Sequence, residues 1–171
     1  MVAGLEFNLW TDPEAGSLLS TGATFELPIG SHRAFQGGGE FHLFLSVGTH
    51  VGCWNWLSGS GFRLPTDTVD RSQMWYWSNH FSRKISDGIY FLADFNWYHW
   101  MRPGQGGVGV EGLEVYNLGS VGVAGNDIAT GAFGFKYKPS DCTEIGVAWE
   151  NPLTDRRDIL DNRLTVALLD G

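Results

Sequence analysis

Cysteine is scarce in this chain. Cys53 and Cys142 are the only two in 171 residues, too few for a disulfide scaffold and without the spacing of a metal site; a bridge between them does not follow from the sequence. Charge is scarce as well. Charged residues make up 18% of the chain, with 11 Lys and Arg against 19 Asp and Glu, a net charge of −8. That sign excludes a nucleic-acid binder, which needs a basic surface to neutralise phosphates. No apolar run approaches the roughly 18–20 residues of a membrane-spanning helix. The start, Met1-Val-Ala-Gly-Leu5, has no basic segment followed by an apolar core, so no secretory leader is visible and the chain reads as mature or trimmed. Long runs of Ala, Leu, Glu and Lys are missing, which argues against a helical bundle. Glycine and aromatics are plentiful instead: 24 Gly, 8 Trp, 5 Tyr and 11 Phe, in a chain 43% hydrophobic. That is too apolar for disorder.

Period-2 alternation dominates. From Leu19 to Ile29 the odd positions are Leu19, Thr21, Ala23, Phe25, Leu27 and Ile29, with Ser20, Gly22, Thr24 and Glu26 between them. Phe41–Val51 repeats this, setting Phe41, Leu43, Leu45 and Val47 against His42, Ser46, Gly48 and His50. Met74–Ile85, Ile89–Met101, Asp127–Lys138 and Thr143–Glu150 alternate similarly, and Leu5–Leu9 and Leu164–Leu168 complete eight predicted strands. All six prolines fall in connections or at strand ends, where a missing N–H costs no ladder bond.

Ser86-Asp87-Gly88 and Lys138-Pro-Ser-Asp141 are tight turns, and Gly30–Gly39 is a moderate one. Cys53–Gln73 and Arg102–Asn126 are long connections. In an up-and-down meander these two kinds fall at opposite ends of the sheet, and an eight-strand count puts both termini at the short-turn end. Bacterial outer-membrane barrels have this layout.

The face composition points to lipid rather than water outside. The polar face consists of small hydrogen-bonding residues with few charges, whereas soluble sheets carry more Lys and Glu outside. Trp10, Trp54, Trp56, Trp75, Trp77, Trp97 and Trp100 stand at strand ends and loop borders, as interfacial girdles do. The alternation turns Glu6, Glu26, His42, Asp94, Asn96, Lys136, Glu144, Glu150 and Arg163 toward a lumen. There the carboxylates are expected to meet Lys136, Lys138 and Arg163 in a salt-bridged filling, since eight strands enclose little more than side chains. A wider barrel would expose these groups to solutes. The rival is a soluble β-sandwich or lectin-like domain, secreted or periplasmic, that stacks carbohydrate on its loop tryptophans.

Three C-terminal segments carry a resemblance. Asn117-Leu-Gly-Ser-Val-Gly-Val-Ala-Gly-Asn-Asp-Ile-Ala-Thr130 and Gly134-Phe-Lys-Tyr-Lys-Pro139 lead into Glu144-Ile-Gly-Val-Ala-Trp-Glu-Asn-Pro-Leu-Thr-Asp-Arg-Arg-Asp-Ile-Leu-Asp-Asn-Arg-Leu-Thr-Val166. With Ser72-Gln-Met-Trp-Tyr-Trp-Ser-Asn-His-Phe81 and Phe95-Asn-Trp-Tyr-His-Trp100, this resembles the last strands of uncharacterised, transporter-like outer-membrane β-barrel proteins of planctomycete-type bacteria. That group is distantly similar to barrels of aromatic-compound uptake. The resemblance implies an outer-membrane location, membrane lipid as partner, small solutes as passengers, no cofactor and no catalytic residues. It implies no oligomeric state. Such barrels usually end on an aromatic residue and carry further strands upstream, whereas this chain ends Leu168-Leu-Asp-Gly171; a portion of a larger barrel is one expectation, the sequence in a different context the other.

Motifs of chemistry are weak by comparison. Gly107-Val-Gly109-Val-Glu-Gly112 matches a dinucleotide fingerprint but lacks the strand before it and the helix after it. None of His32, His42, His50, His80 and His99 forms a metal-ligand pair; His42 and His50 stand roughly 26 Å apart at strand rise. No Gly-x-Ser-x-Gly elbow occurs, although His99 with Ser78 and Asn79 on the next strand is a conceivable hydrolase arrangement. Asp155, Asp158 and Asp161 have the oxygens for Ca²⁺, but interleaved arginines make an ion-pair network the expected outcome. The fold expected is therefore a single all-β domain over 1–171: an antiparallel up-and-down transmembrane-type barrel of about eight strands, or part of a larger one. Its expected role is structural or passive uptake, without chemistry of its own.

Overall fold

The computed structural model describes residues 1–28, 38–106, 108–113, 116–140 and 142–170. They form one antiparallel sheet of nine strands: β1 (Val2–Asp12), β2 (Ser17–Glu26), β3 (Glu40–Val51), β4 (Trp54–Pro65), β5 (Gln73–Ser86), β6 (Ile89–Arg102), β7 (Asp127–Tyr137), β8 (Thr143–Pro152) and β9 (Arg163–Asp170). Each strand pairs with its neighbours in chain order. No helix is present among the described residues, so none is long and apolar enough to cross a membrane.

The strand absent from the sequence reading is β4. Its Ser58-Gly-Ser-Gly61 centre looks like a linker, yet every residue from Trp54 to Pro65 is paired with β3. Ladder hydrogen bonds need no large side chains, and here small ones make room. A Cβ on Gly61 would stand 2.8 Å from the Tyr76 hydroxyl; without it, Tyr76 crosses β4 and bonds His42 on β3 at 2.6 Å. Gly52, with φ +63°, and Cys53 make the two-residue turn into β4.

A ninth strand changes two expectations. The tight turns (13–16, 52–53, 87–88 and 138–142) all lie at one end, and the connections 27–39, 66–72, 103–126 and 153–162 at the other. The predicted asymmetry is present, but the β2–β3 connection joins the loop end, and so does the N-terminus. The second correction concerns closure. β1 and β9 pair only with β2 and β8, so the sheet is not closed into a barrel, whereas a barrel of about eight strands, or part of a larger one, was expected.

Register separates two faces. One carries Leu43, Leu45, Phe62, Phe81, Phe133, Val147 and Val166, and these remain 36–69% exposed. The other carries small and polar groups and is half-buried. The buried hydrophobic cluster among the described residues lies at the loop end: Met74, Tyr98, Trp100 and Ile128 from the sheet, Leu113, Val123 and Leu160 from the loops. Total accessible surface is 10032 Å², against roughly 8300 Å² for a water-soluble monomer of this mass. No second sheet covers the apolar face among the described residues, so a two-layer sandwich is not the architecture.

Candidate functional site

The polar face is organised in rows that follow the hydrogen-bonding direction. One row runs Ser20, Ser46, Gly59, Ser78, Asn96 and Thr130 from β2 to β7. The next runs Leu57, His80, Asp94, Ala132, Glu150 and Arg163 from β4 to β9. A groove of about 420 Å³ lies over them, reaching from Glu6 on β1 to Asn96 on β6. Ser20 donates to Glu6 at 2.7 Å and shares a 2.8 Å bond with Ser46. His80 Nδ1 meets Asp94 at 2.6 Å.

All nine residues assigned to the lumen share this face. Several predicted contacts form: Glu144 meets Lys136 at 2.9 Å and Lys138 at 2.6 Å, and Glu150 meets Arg163 at 2.6 Å. Thr130 also donates to Glu150 at 2.6 Å, and Asn96 donates to Thr130 at 3.3 Å. Glu26 pairs with Arg71, a loop residue, at 3.4 Å. Glu150 is 5% exposed, so removing its cation leaves a nearly buried charge. Arg163→Met is expected to cost about 2–3 kcal/mol, less than a fully buried pair because the arginine is partly solvated. A second change, Glu150→Gln, should recover most of it, as read from denaturant midpoints.

At the loop end the polar face narrows into a cluster that the sequence reading missed. Glu40, buried, binds Arg63 at 2.6 Å and lies 3.9 Å from Arg71. Arg63, His42, Tyr76, Met74 and Tyr98 line a 210 Å³ cavity beside it. The 103–126 connection is pinned over this end by Glu111, which is 1% exposed. Its carboxylate accepts from Ser72 Oγ at 2.6 Å, Ser120 N at 2.7 Å and Leu118 N at 3.0 Å.

Six of the seven tryptophans expected at the margins share one face of the sheet. Trp54 and Trp56 on β4, Trp75 and Trp77 on β5, and Trp97 on β6 lie on the apolar face. Trp10 joins them because a bulge between Asn8 and Trp10 reverses the alternation of β1. Trp100 does not. It pairs with Met74, shares the parity of Tyr98, and is buried in the same loop-end core as Val123 and Ile128. Trp149 is a further outward aromatic, with its ring edge-on to Phe133 at 5.9 Å.

The hydrolase arrangement is not formed. His99 Nδ1 meets Asp127 at 2.8 Å, and Trp97 Nε1 donates to the same oxygen. Ser78 faces the opposite side in the Asn96 row, and Asn79 accepts from Trp56 Nε1. His32 and Gly107 lie outside the described residues. Gly109 and Gly112 sit in a loop, and no metal-holding group of His, Cys, Asp and Glu occurs among the described residues. Asp158 and Asp161 pair with Arg156 and Arg157 at 2.8 and 2.7 Å, the ion-pair network expected over Ca²⁺. Cys53 and Cys142 are exposed free thiols at the short-turn end.

No family model matches the chain, and neither does any curated protein or solved structure. The site must speak through its own geometry: an exposed apolar face, a half-buried polar face, and a polar neck under a pinned loop.

Proposed function

We propose that this chain is a membrane-embedded β-sheet of barrel type, located in a bacterial outer membrane and serving a structural or passive-uptake role. The observation that carries this reading is the inverted distribution of its surface. Leu, Val, Phe and Trp side chains cover the exposed face, while carboxylates, hydroxyls and cations pair on the half-buried one. In water such a continuous apolar face is an aggregation liability; in lipid it is the required exterior. Strand lengths of 8–14 residues suit the roughly 9–11 needed to cross tilted. The open edges of β1 and β9 support a sheet that is completed by further strands, since no open edge survives in hydrocarbon. In that wider barrel the Ser20–Thr130 row faces passing solutes. The resemblance to transporter-like outer-membrane barrels supports the same reading.

Quenching of tryptophan emission by lipids brominated along the acyl chain tests it. Strong quenching in vesicles is expected, together with a requirement for detergent during purification. A chain that stays monomeric in plain buffer and is not quenched overturns the proposal.

A further inference from the structure

The lipid-facing side is not uniform. Near the short-turn end an open cleft of about 510 Å³ is lined by Val51, Trp54, Trp56, Phe81 and Ala93. Its floor is a notch in a ladder row that runs Trp56, Phe81, Ala93 and Phe133 across β4–β7. The one small side chain of that row lies between two phenylalanines, so the aromatic surface is interrupted there. The walls are fixed: Trp56 stacks on Phe81 with 8° between planes, and Trp54 meets Phe91 edge-on at 6.1 Å.

A cation stands at the mouth. Arg83 is on the same face of β5, exposed, with its guanidinium 5.8 Å from the centre of the Trp54 ring. Among the described residues it has no carboxylate partner, whereas Lys84 beside it pairs with Asp87. A ring quadrupole compensates a guanidinium only partly, and a charge on a lipid-facing surface reaches for the interface and for an anion there. β5 ends at Ser86, so Arg83 is roughly 10 Å from the strand end, at headgroup depth. Ala93 lies four residues inside the start of β6, roughly 14 Å along it, where acyl chains begin.

We propose that this cleft is a lipid-binding site: one acyl chain of an anionic phospholipid lies over Ala93 between Trp54, Trp56 and Phe81, and its headgroup phosphate is taken by Arg83. The inference rests on the membrane reading above. The apolar depth selects an acyl chain, and the lone guanidinium selects a phosphate; neither feature alone would do both.

The full chain in detergent micelles is offered phosphatidylglycerol and monitored by native mass spectrometry. One retained lipid per chain is expected. Ala93→Phe, which fills the notch, and Arg83→Gln, which removes the cation, should each lower its retention about tenfold. Retention in both variants equal to that of the parent chain overturns the site, and so does displacement of the lipid by millimolar inorganic phosphate. Brominated-lipid quenching of the same variants separates the two proposals. Normal quenching with unchanged retention sinks the site alone, whereas loss of quenching in the parent chain sinks the membrane reading.

Discussion

Leu45→Arg is expected to destabilise the protein in a bilayer by about 2–4 kcal/mol, the depth-dependent cost of a charge at the midplane on the lipid face of a barrel. Leu45 is mid-strand in β3, points to the apolar face and is 48% exposed. The same exchange at Leu164, the second residue of β9 and 67% exposed, should cost only about 0–1 kcal/mol because it lies near the interface. Urea midpoints of the vesicle-inserted protein measure both. The comparison is demanding because a water-facing sheet predicts the opposite. Arginine at a half-exposed leucine would then be close to neutral and would improve solubility. Equal midpoints for the parent and Leu45→Arg in lipid would reject the assignment of this face.

Glu111→Ala carries the largest expected loss, about 3–5 kcal/mol, because three donors lose their acceptor inside the protein. Ser72 and Ser120 are 1% and 0% exposed, so water replaces the carboxylate only by opening the loop. Glu111 also ties two loops together through its own N–H, which donates to Asp158 at 3.0 Å. Limited proteolysis gives the local readout: cleavage within 103–126 should accelerate while the strand signal in far-ultraviolet dichroism persists. Glu111→Gln keeps one acceptor oxygen and should fall between. Unchanged proteolysis in Glu111→Ala would show that the apolar contacts of Leu113 and Val123 hold the loop unaided.

The strands that alternate large and small residues were legible from sequence, because a side-chain period of two survives any partner. β4 was not, since glycine and serine in a strand look the same as glycine and serine in a linker; the difference lies in Tyr76, a residue of the next strand, which needs the space. Trp100 was misplaced for a related reason. It stands at a strand end where headgroup aromatics are expected, yet its parity points inward and loop residues close over it. The polar-face pairs Lys136–Glu144 and Glu150–Arg163 were readable because they lie on neighbouring strands with a simple register. Arg71 with Glu26 and Glu111 with Ser72 were not, since they join loops to distant strands. Leu113, buried in the left-handed region at φ 55°, leaves no mark in the sequence at all.

The odd strand count has a directional consequence. β1 and β9 ascend together, from the loop end toward the short turns. A ring sealed by these two alone would therefore need a parallel seam, with evenly spaced and slanted hydrogen bonds in place of the alternating antiparallel ones. One descending strand between them, or any odd number, gives antiparallel seams on both sides and an even total, the rule for single-chain bacterial barrels. If the sheet is completed as proposed, the polarity follows: an antiparallel strand added at either edge would run from the short turns toward the loops.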